Sequence, residues 1–256
     1  MAATDIFDLK GRVALVTGAS SGLGVRFAEV LAENGASVVL VARRGERLAE
    51  VAARIGKGRA LAVTADVLDR KDMARAFDTA EQAFGTVDIL VNNAGVVHAN
   101  RAVEMPEAEW RRVLGTNLDA VMSWSQEAAR RMLAAGKGGA IVNISSVLGL
   151  GVAKGVAAYA VAKAGVIQLT KALGLELAFK GIRVNAIAPG WIVTELNHEY
   201  LMSEKGQAIK RDIPVGRFGE ARDLDGALLL LVSDAGRFIA GATLVVDGGQ
   251  MVALRG

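Results

Sequence analysis

The sequence has no cysteine and only two histidines among its 256 residues. The absence of cysteine excludes disulfide bonds and thiolate chemistry. The histidines, His98 and His198, lie far apart, and neither stands at the spacing of a metal-ligand pair. The sequence therefore argues against a zinc-dependent alcohol dehydrogenase, and we predict no metal site.

Long basic runs and long apolar runs are also lacking. The formal net charge is +3 and the arginines are scattered among acidic residues, so we expect no nucleic acid partner. The most apolar long segment, 152–179, is interrupted by charged residues and is a poor membrane span. The first residues lack the basic-then-apolar pattern of a signal peptide. We therefore expect a cytoplasmic protein that has no membrane partner.

Short apolar segments rich in β-branched residues alternate with segments of helical periodicity along the chain. Apolar strands separated by helices indicate a parallel sheet covered on both faces, and right-handed crossovers make it a doubly wound (Rossmann) α/β fold. The length suits one core, so we predict a single domain over residues 1–256. Seven strands are predicted, at residues 13–16, 37–41, 60–65, 87–91, 140–144, 183–188 and 243–246.

The predicted helices fill the spaces between these strands, with one exception near the end of the chain. Segment 191–218 is polar and has no clear role in the sheet, which is typical of a lid over a site. Its Trp191, His198 and Tyr200 either line a substrate pocket or pack the segment down. Helix-like apolar spacing runs from residue 25 to 31, and helices are predicted at 45–54 and 69–84, from 106 to 135 with interruptions, and at 157–179 and 221–232.

A glycine-rich turn follows the first predicted strand and precedes a helix-like apolar pattern. This arrangement places free backbone N–H groups and the positive end of a helix against a phosphate. Gly18 permits the turn, Gly22 lets a diphosphate approach the backbone, and Gly24 lets the helix pack close to the strand. The alternative is an ordinary turn whose glycines serve packing only. The predicted nucleotide-binding residues here are Gly18, Ser20, Ser21, Gly22, Leu23 and Gly24.

Basic residues stand where a fold that binds NAD carries an acid. In such folds an Asp or Glu roughly 20 residues beyond the glycines binds the ribose 2′-hydroxyl. No acid lies between Glu33 and Glu46, and Arg43 and Arg44 follow the second strand. A guanidinium binds phosphate through paired, charge-assisted hydrogen bonds. We therefore predict NADP in preference to NAD; the alternative is a solvated helix start that also includes Arg47.

Tyr159 and Lys163 are four residues apart in a predicted helix, which puts both on one face. A phenol, with a pKa of about 10, is a poor acid–base catalyst at neutral pH. A neighbouring ammonium and a positively charged nicotinamide favour the phenolate. Ser145 and Ser146 close the fifth strand, where a hydroxyl can donate to a substrate oxygen. Taken alone, the Tyr–Lys pair also fits a helix that simply exposes both side chains.

Several motifs follow one another at regular spacing. They are TGASSGLG at 17–24, NNAG at 92–95, Asn117, Ser146, YAVAK at 159–163 and Pro189-Gly190. In this order the sequence resembles the short-chain dehydrogenase/reductase family over nearly its whole length. The motifs are specific for the family and not for a substrate. The resemblance implies an oxidoreductase that transfers a hydride between a nicotinamide and a carbonyl or alcohol substrate.

The resemblance also implies a role for each catalytic residue. Tyr159 is the general acid in carbonyl reduction and the base in the reverse direction, and Lys163 lowers the tyrosine pKa and binds the nicotinamide ribose. Ser146, thirteen residues before the tyrosine as the family spacing requires, holds the substrate oxygen, whereas Ser145 is one residue too early. Asn117 holds a water that relays protons to the lysine; the alternative is a polar residue inside a helix.

Further cofactor contacts are implied at the ends of the other strands. Asp66 and Val67 contact adenine, and a nicotinamide ribose is bound through Tyr159 and Lys163. The alternative for Asn92 and Asn93 is a turn that satisfies backbone groups. The basic residue that some NADP-using members carry in the glycine loop is absent. The remaining implied contacts are Asn93, Ala94 and Gly95, and at the nicotinamide end Pro189, Gly190, Ile192 and Thr194.

The predicted helix at 157–179 is apolar around most of its girth and must be covered on two sides. The resemblance suggests a homotetramer in which this helix and the 116–135 helix form one interface. The apolar tail at 248–254 would serve another interface. The alternative is that segment 191–218 covers the helix within one chain.

Two classes of function follow. The first is an NADP(H)-dependent oxidoreductase that reduces a ketone or oxidises a secondary alcohol; within it the pattern looks most like the 3-oxoacyl-(acyl carrier protein) reductases of fatty-acid synthesis. The second is a non-catalytic dinucleotide-binding regulator. The complete set of Ser146, Tyr159 and Lys163 argues against the regulator, because binding alone does not need a phenol beside an ammonium.

Overall fold

The computed structural model describes residues 5–195 and 197–253. Within these residues the strands are β1 (Val13–Thr17), β2 (Ser37–Ala42), β3 (Ala60–Thr64), β4 (Ile89–Asn92), β5 (Gly139–Ile144), β6 (Ile182–Pro189) and β7 (Thr243–Val246). They pair in parallel as one sheet in the order β3-β2-β1-β4-β5-β6-β7. The strand order reverses between β1 and β4, where such sheets open a crevice at their carboxyl ends. The predicted seven-stranded doubly wound fold is confirmed.

Helices cover both faces of the sheet. Alternate residues of a strand point to opposite faces, so Ala14 and Val16 pack against one helix layer and Val13 and Leu15 against the other. The first layer contains α1, α2 and α9, and the second contains α3, α5 and α6. The helix bounds are α1 (Gly22–Glu33), α2 (Gly45–Ile55), α3 (Arg70–Phe84), α4 (Glu107–Leu114), α5 (Ala120–Ala134), α6 (Ala157–Leu177), α7 (His198–Met202), α8 (Glu204–Arg211) and α9 (Asp225–Val232).

Helix boundaries depart from the sequence prediction in three places. The helix predicted from 106 to 135 consists of α4, a π-helical segment at Gly115–Asp119, and α5. α6 ends at Leu177 and continues as a 3₁₀ turn to Gly181, whose left-handed φ of 77° reverses the chain into β6. The helix predicted at 221–232 begins with a 3₁₀ turn before α9. These differences concern local hydrogen bonding and leave the layers unchanged.

Segment 191–218 forms α7 and α8 and carries a small apolar cluster of its own. Its centre is formed by Leu201, Ile213 and Phe218, and Trp191 packs against it. A parallel bridge between Ile192 and Gly219 closes the base of the segment. The segment therefore has an internal core, which its polar composition did not predict; its residue 196 lies outside the described residues.

Apolar side chains on the outer face of α6 stay exposed. Val161 is 49% exposed, Leu175 82% and the following Phe179 77%. Segment 191–218 therefore does not cover this face, contrary to the single-chain alternative. The apolar tail is described only to residue 253, where Val252 is also exposed. No helix within the described ranges is long and apolar enough to cross a membrane.

Candidate active site

The glycine loop joins β1 to the first turn of α1. Ser21 precedes the helix in an extended conformation, and its side chain makes no capping hydrogen bond. The first turn of α1 carries no acidic residue. The first N–H groups of a helix lack partners within the helix and carry its positive dipole end. This loop therefore presents an anion-binding surface at the carboxyl end of the sheet.

Close packing explains why the loop needs glycine. A Cβ on Gly18 would lie 2.8 Å from the Cα of Ala94, and one on Gly24 would collide with the carbonyl of Gly18. Asn93 holds the loop by donating from Nδ2 to the carbonyl oxygens of Thr17, at 3.0 Å, and Gly18, at 3.3 Å. The side chain of Asn93 thus satisfies backbone groups, which was the alternative interpretation. Its contribution to a cofactor cleft is to shape the loop.

Arg44 closes over the glycine loop from the start of α2. Its guanidinium donates to Ser20 Oγ at 3.1 and 3.2 Å and to Ser21 Oγ at 2.7 Å. Arg43 is exposed beside it. Arg47, one turn further along, pairs instead with Glu50 at 3.5 Å. The structure therefore brings Arg44 and both loop serines together, and Arg47 lines a cavity that also includes Ser20 and Gly22.

The end of β3 is held by a tryptophan that sequence reasoning did not single out. Asp66 Oδ1 accepts from the N–H of Leu68 at 3.0 Å, which shapes the turn. The carbonyl of Val67 accepts from Trp124 Nε1 at 3.0 Å. Trp124 lies on α5 and is 1% exposed. An indole N–H needs a partner when it is buried. The need of a buried indole N–H for an acceptor is the one feature of the sequence from which this contact could have been predicted.

Ser146, Tyr159 and Lys163 meet at the end of β5. The Ser146 hydroxyl accepts from the N–H of Leu148 at 3.1 Å and hydrogen-bonds with the Tyr159 phenol. Lys163 Nζ lies 5.5 Å from the centre of the Tyr159 ring. Tyr159 and Lys163 lie one turn apart on α6, as their spacing predicts. The three side chains therefore form one cluster, which adjoins the loop after β4 because a Cβ on Gly95 would lie 3.7 Å from Lys163 Nζ.

Burial controls the protonation of this cluster. Lys163 is 4% exposed, its Nζ donates to the carbonyl of Ile144 at 2.7 Å, and burial lowers its pKa to about 8. Burial raises the pKa of Tyr159, and the hydrogen bond from Ser146 opposes that rise. We expected a lowered tyrosine pKa. In the cofactor-free protein, loss of hydration outweighs the neighbouring ammonium.

Asn117 is fully buried at the centre of the π-helical segment. Its Oδ1 accepts from the N–H of Val96 at 2.8 Å, and its Nδ2 donates to the carbonyl of Val96 at 2.7 Å. The amide therefore fastens the loop after β4, including Gly95, to the helix. Such π segments occur frequently at functional sites. Val96 uses one N–H of Asn117 Nδ2 and one lone pair of its Oδ1. A water relay through Asn117 would use the second N–H or the second lone pair.

The end of β6 forms the opposite wall. Pro189 is buried, and a Cβ on Gly190 would lie 2.7 Å from the Cβ of Asp247. Ile192 is 6% exposed and packs into the core, and its carbonyl accepts from Asn197 Nδ2 at 2.8 Å. The methyl group of Thr194 lies 3.4 Å from where a Cβ on Gly22 would be. Thr194 therefore lies directly over the glycine loop.

These features fit a dinucleotide with a phosphorylated ribose. The α1 N-terminus suits a diphosphate, and Arg44 with the loop serines suits a further phosphate. The turn at Asp66 and Val67 follows β3 on one side of β1, and the cluster at β5 and the wall at β6 lie on the other side, so a dinucleotide bound across the end of β1 would have one end near each. Most of the sequence-predicted residues therefore lie at or just beyond the carboxyl ends of the strands, and the π-helical segment and α6 contribute Asn117, Tyr159 and Lys163.

Comparison with known proteins agrees with this geometry. A family model described as enoyl-(acyl carrier protein) reductase matches residues 18–251. D-threitol dehydrogenase of Mycolicibacterium smegmatis is 39% identical over 96% of this chain and 95% of its own. The 3-oxoacyl-(acyl carrier protein) reductase of Haemophilus influenzae is 38% identical over 94% and 98%. A crystal structure from Agrobacterium tumefaciens with bound NADP has a TM-score of 0.88 and 42% identity, covering 97% and 100%.

Fold, site and relatives define a dinucleotide-binding oxidoreductase. The chain belongs to the short-chain dehydrogenase/reductase family. Its relatives are named dehydrogenases and reductases that act on alcohols or ketones.

Replacing Lys163 by Met should stabilise the cofactor-free protein at pH 7. Lowering the lysine pKa from 10.5 to about 8 costs the folded state about 3 kcal/mol. The hydrogen bond from Lys163 to the carbonyl of Ile144 stabilises the folded state by about 1 kcal/mol. We therefore expect the free energy of unfolding of Lys163→Met to exceed that of the wild type by about 2 kcal/mol in urea titrations.

The pH dependence of that difference has a definite sign. Between pH 8 and 10.5 the unfolded chain holds a proton on Lys163 that the folded chain has lost, so wild-type stability rises relative to the variant. Lys171→Met, on the exposed side of the same helix, is the matched control and should show neither effect. A wild type that is more stable than Lys163→Met at pH 7 would contradict the buried ammonium.

Proposed function

We propose that this protein is an NADP(H)-dependent oxidoreductase that reduces a ketone or oxidises a secondary alcohol. The observation that carries the proposal is the cluster of Ser146, Tyr159 and Lys163 in a fold that also presents an anion-binding glycine loop. Asn117 completes the site by fastening the loop after β4. A pure nucleotide-binding regulator has no use for a buried ammonium next to a phenol.

Each residue of the proposed site has a separate role in the reaction. A bound nicotinamide supplies or accepts the hydride. Ser146 donates a hydrogen bond to the substrate oxygen, and Tyr159 gives that oxygen its proton during reduction and removes it during oxidation. Lys163 keeps a positive charge near the phenol and contacts the ribose. The phenol is protonated at neutral pH, and because burial raises its pKa, it depends on the positive charges of Lys163 and of an oxidised nicotinamide to act as an acid and base there.

Two substrate classes are supported by relatives of equal similarity. One is a 3-oxoacyl thioester on an acyl carrier protein, as the name of the Haemophilus influenzae relative indicates. The other is a sugar alcohol, as the name D-threitol dehydrogenase indicates. We propose that segment 191–218 acts as a lid that shapes the substrate pocket, and that the whole chain works as one domain.

Tyr159→Phe tests the chemistry directly. We expect the wild type to oxidise NADPH with at least one member of a panel of ketones, 3-oxoacyl thioesters and keto sugars. Loss of the proton donor should lower kcat by roughly 10²- to 10⁴-fold. NADPH binding, followed by quenching of tryptophan fluorescence, should persist in the variant and serves as the folding control.

Either of two results would count against this mechanism. Turnover that survives in Tyr159→Phe would remove the phenol from the reaction. Cofactor binding by the wild type without turnover on any member of the panel would favour the regulator.

Cofactor choice is tested by Arg44→Ala. The guanidinium lies across Ser20 and Ser21, where it can bind a 2′-phosphate that NADPH has and NADH lacks. We expect kcat/KM for NADPH to fall by roughly 10- to 100-fold, as for the loss of a charge-assisted contact. The value for NADH should stay within about twofold of the wild type, because NADH makes no such contact.

Lys57→Ala, at an exposed cation just beyond the C-terminal end of α2, is the matched control. It should leave the preference between the cofactors unchanged. Equal use of NADPH and NADH by the wild type would refute the proposed phosphate contact.

We propose that the chain forms a homotetramer through α5 and α6. The exposed Val161 and Leu175 on α6 and the exposed Met122 and Leu133 on α5 supply the apolar surface. Leu175→Glu should reduce the mass measured by light scattering from about four chains of 26.7 kDa, because it places charge in that surface. Val103→Glu, on an exposed apolar residue of another segment, is the control. A monomeric wild type would refute the proposal.

A further inference from the structure

Three successive residues at the end of β5 are each joined to α6. Asn143 Nδ2 donates to Thr170 Oγ1 at 3.0 Å. The carbonyl of Ile144 accepts from Lys163 Nζ at 2.7 Å. Ser145 Oγ donates to the main-chain carbonyl of Lys163 at 2.9 Å. The last of these contacts lies nearest the site, and the proposed chemistry leaves its serine without a role.

Lys163 is held at both ends by this strand. Its ammonium donates to β5, while its peptide carbonyl accepts from the hydroxyl of the residue directly after β5, Ser145. Gly149, in the loop after β5, packs against the same peptide: a Cβ there would lie 2.7 Å from the carbonyl carbon and oxygen of Lys163. The peptide of Lys163 is therefore the point at which α6 rests on the end of β5.

The two adjacent serines that follow β5 have different partners. Ser146 shares a hydrogen bond with the phenol of Tyr159, and Ser145 bonds to the backbone one turn further along the same helix. Ser145 is 3% exposed, and its own N–H donates to the carbonyl of Ile187 on β6 at 2.8 Å. Its hydroxyl is therefore carried by a fixed strand and is aimed at the helix that holds Tyr159 and Lys163.

We propose that Ser145 is a positioning residue that sets α6 against the end of β5, so that Tyr159 faces Ser146 and the Lys163 ammonium stays on the carbonyl of Ile144. The inference rests on the proposed function, because it assigns Ser145 to the same reaction. Ser145 touches neither phenol nor ammonium and acts through the backbone of Lys163.

Removing the hydroxyl should affect catalysis more than stability. A carbonyl in the middle of a helix also accepts from the N–H four residues on, so the Lys163 carbonyl keeps a partner in Ser145→Ala. What is lost is the fixed distance between helix and strand. Misplacement of reacting groups by a fraction of an ångström lowers kcat and leaves the binding of remote parts of the ligands intact.

The first test compares Ser145→Ala with Ser145→Thr, which keeps a hydroxyl at the same position. We expect kcat of the alanine variant to fall by roughly 10- to 100-fold, with KM for NADPH within about twofold of the wild type. The threonine variant should recover most of the lost rate. Ser125→Ala is the matched control, since Ser125 is also buried and accepts from Asn92 Nδ2 at 2.9 Å; it should lower stability and keep kcat.

A second readout does not depend on turnover. In cofactor-free protein with ¹³C-labelled lysine, the resonance that Lys163→Met removes should titrate near pH 8 in the wild type. Its midpoint should move to lower pH in Ser145→Ala, because a looser helix weakens the hydrogen bond that favours the ammonium. Ser145→Thr should restore the wild-type midpoint.

The results separate this inference from the proposed function. A wild type without turnover would overturn the proposed function. In that case the lysine titration, which does not require turnover, would still test whether Ser145 positions α6. An alanine variant with kcat within twofold of the wild type, an unmoved titration midpoint, or a threonine variant no better than alanine would each overturn the positioning role.

Discussion

A buried ammonium resting on a backbone carbonyl is the interaction on which the site depends. Lys163 is almost fully buried, and its Nζ lies 2.7 Å from the carbonyl oxygen of Ile144. Burial disfavours the charged form, so this arrangement opposes folding at neutral pH. An apolar side chain would fill the same space at lower cost to stability, so the buried lysine is best explained by the chemistry proposed for it.

Close approach of α6 to its neighbours keeps that ammonium in place, and glycines on two sides make the approach possible. Gly149 lets the loop after β5 lie on the Lys163 peptide, and a Cβ on Gly165 would come within 2.9 Å of the Leu118 side chain in the π-helical segment. α6 is thus fitted between β5 and the segment that carries Asn117. The catalytic groups are therefore carried by packed elements, which hold geometry better than loops do.

The sequence predicted the layers and most of the crevice, because both follow from patterns along the chain. All seven strands were placed within about two residues, since buried parallel strands are continuous apolar runs. The π-helical segment was missed because a single inserted residue in a helix leaves the apolar periodicity almost intact. The helices within 191–218 were missed because their small core is formed by residues far apart in that segment. Contacts such as Arg44 to Ser20, Trp124 to Val67 and Ser145 to Lys163 join distant positions, and only the fold brings them together.

The same burial acts on the two proton-bearing groups of the site in opposite senses. It raises the pKa of the Tyr159 phenol and lowers that of the Lys163 ammonium to about 8, so both neutral forms are favoured. The phenol therefore keeps its proton throughout the neutral range, whereas the lysine changes its charge close to that range. In the proposed reaction, Tyr159 is the group that keeps a proton for the substrate oxygen, and Lys163 is the group of the two whose charge changes nearest to neutral pH.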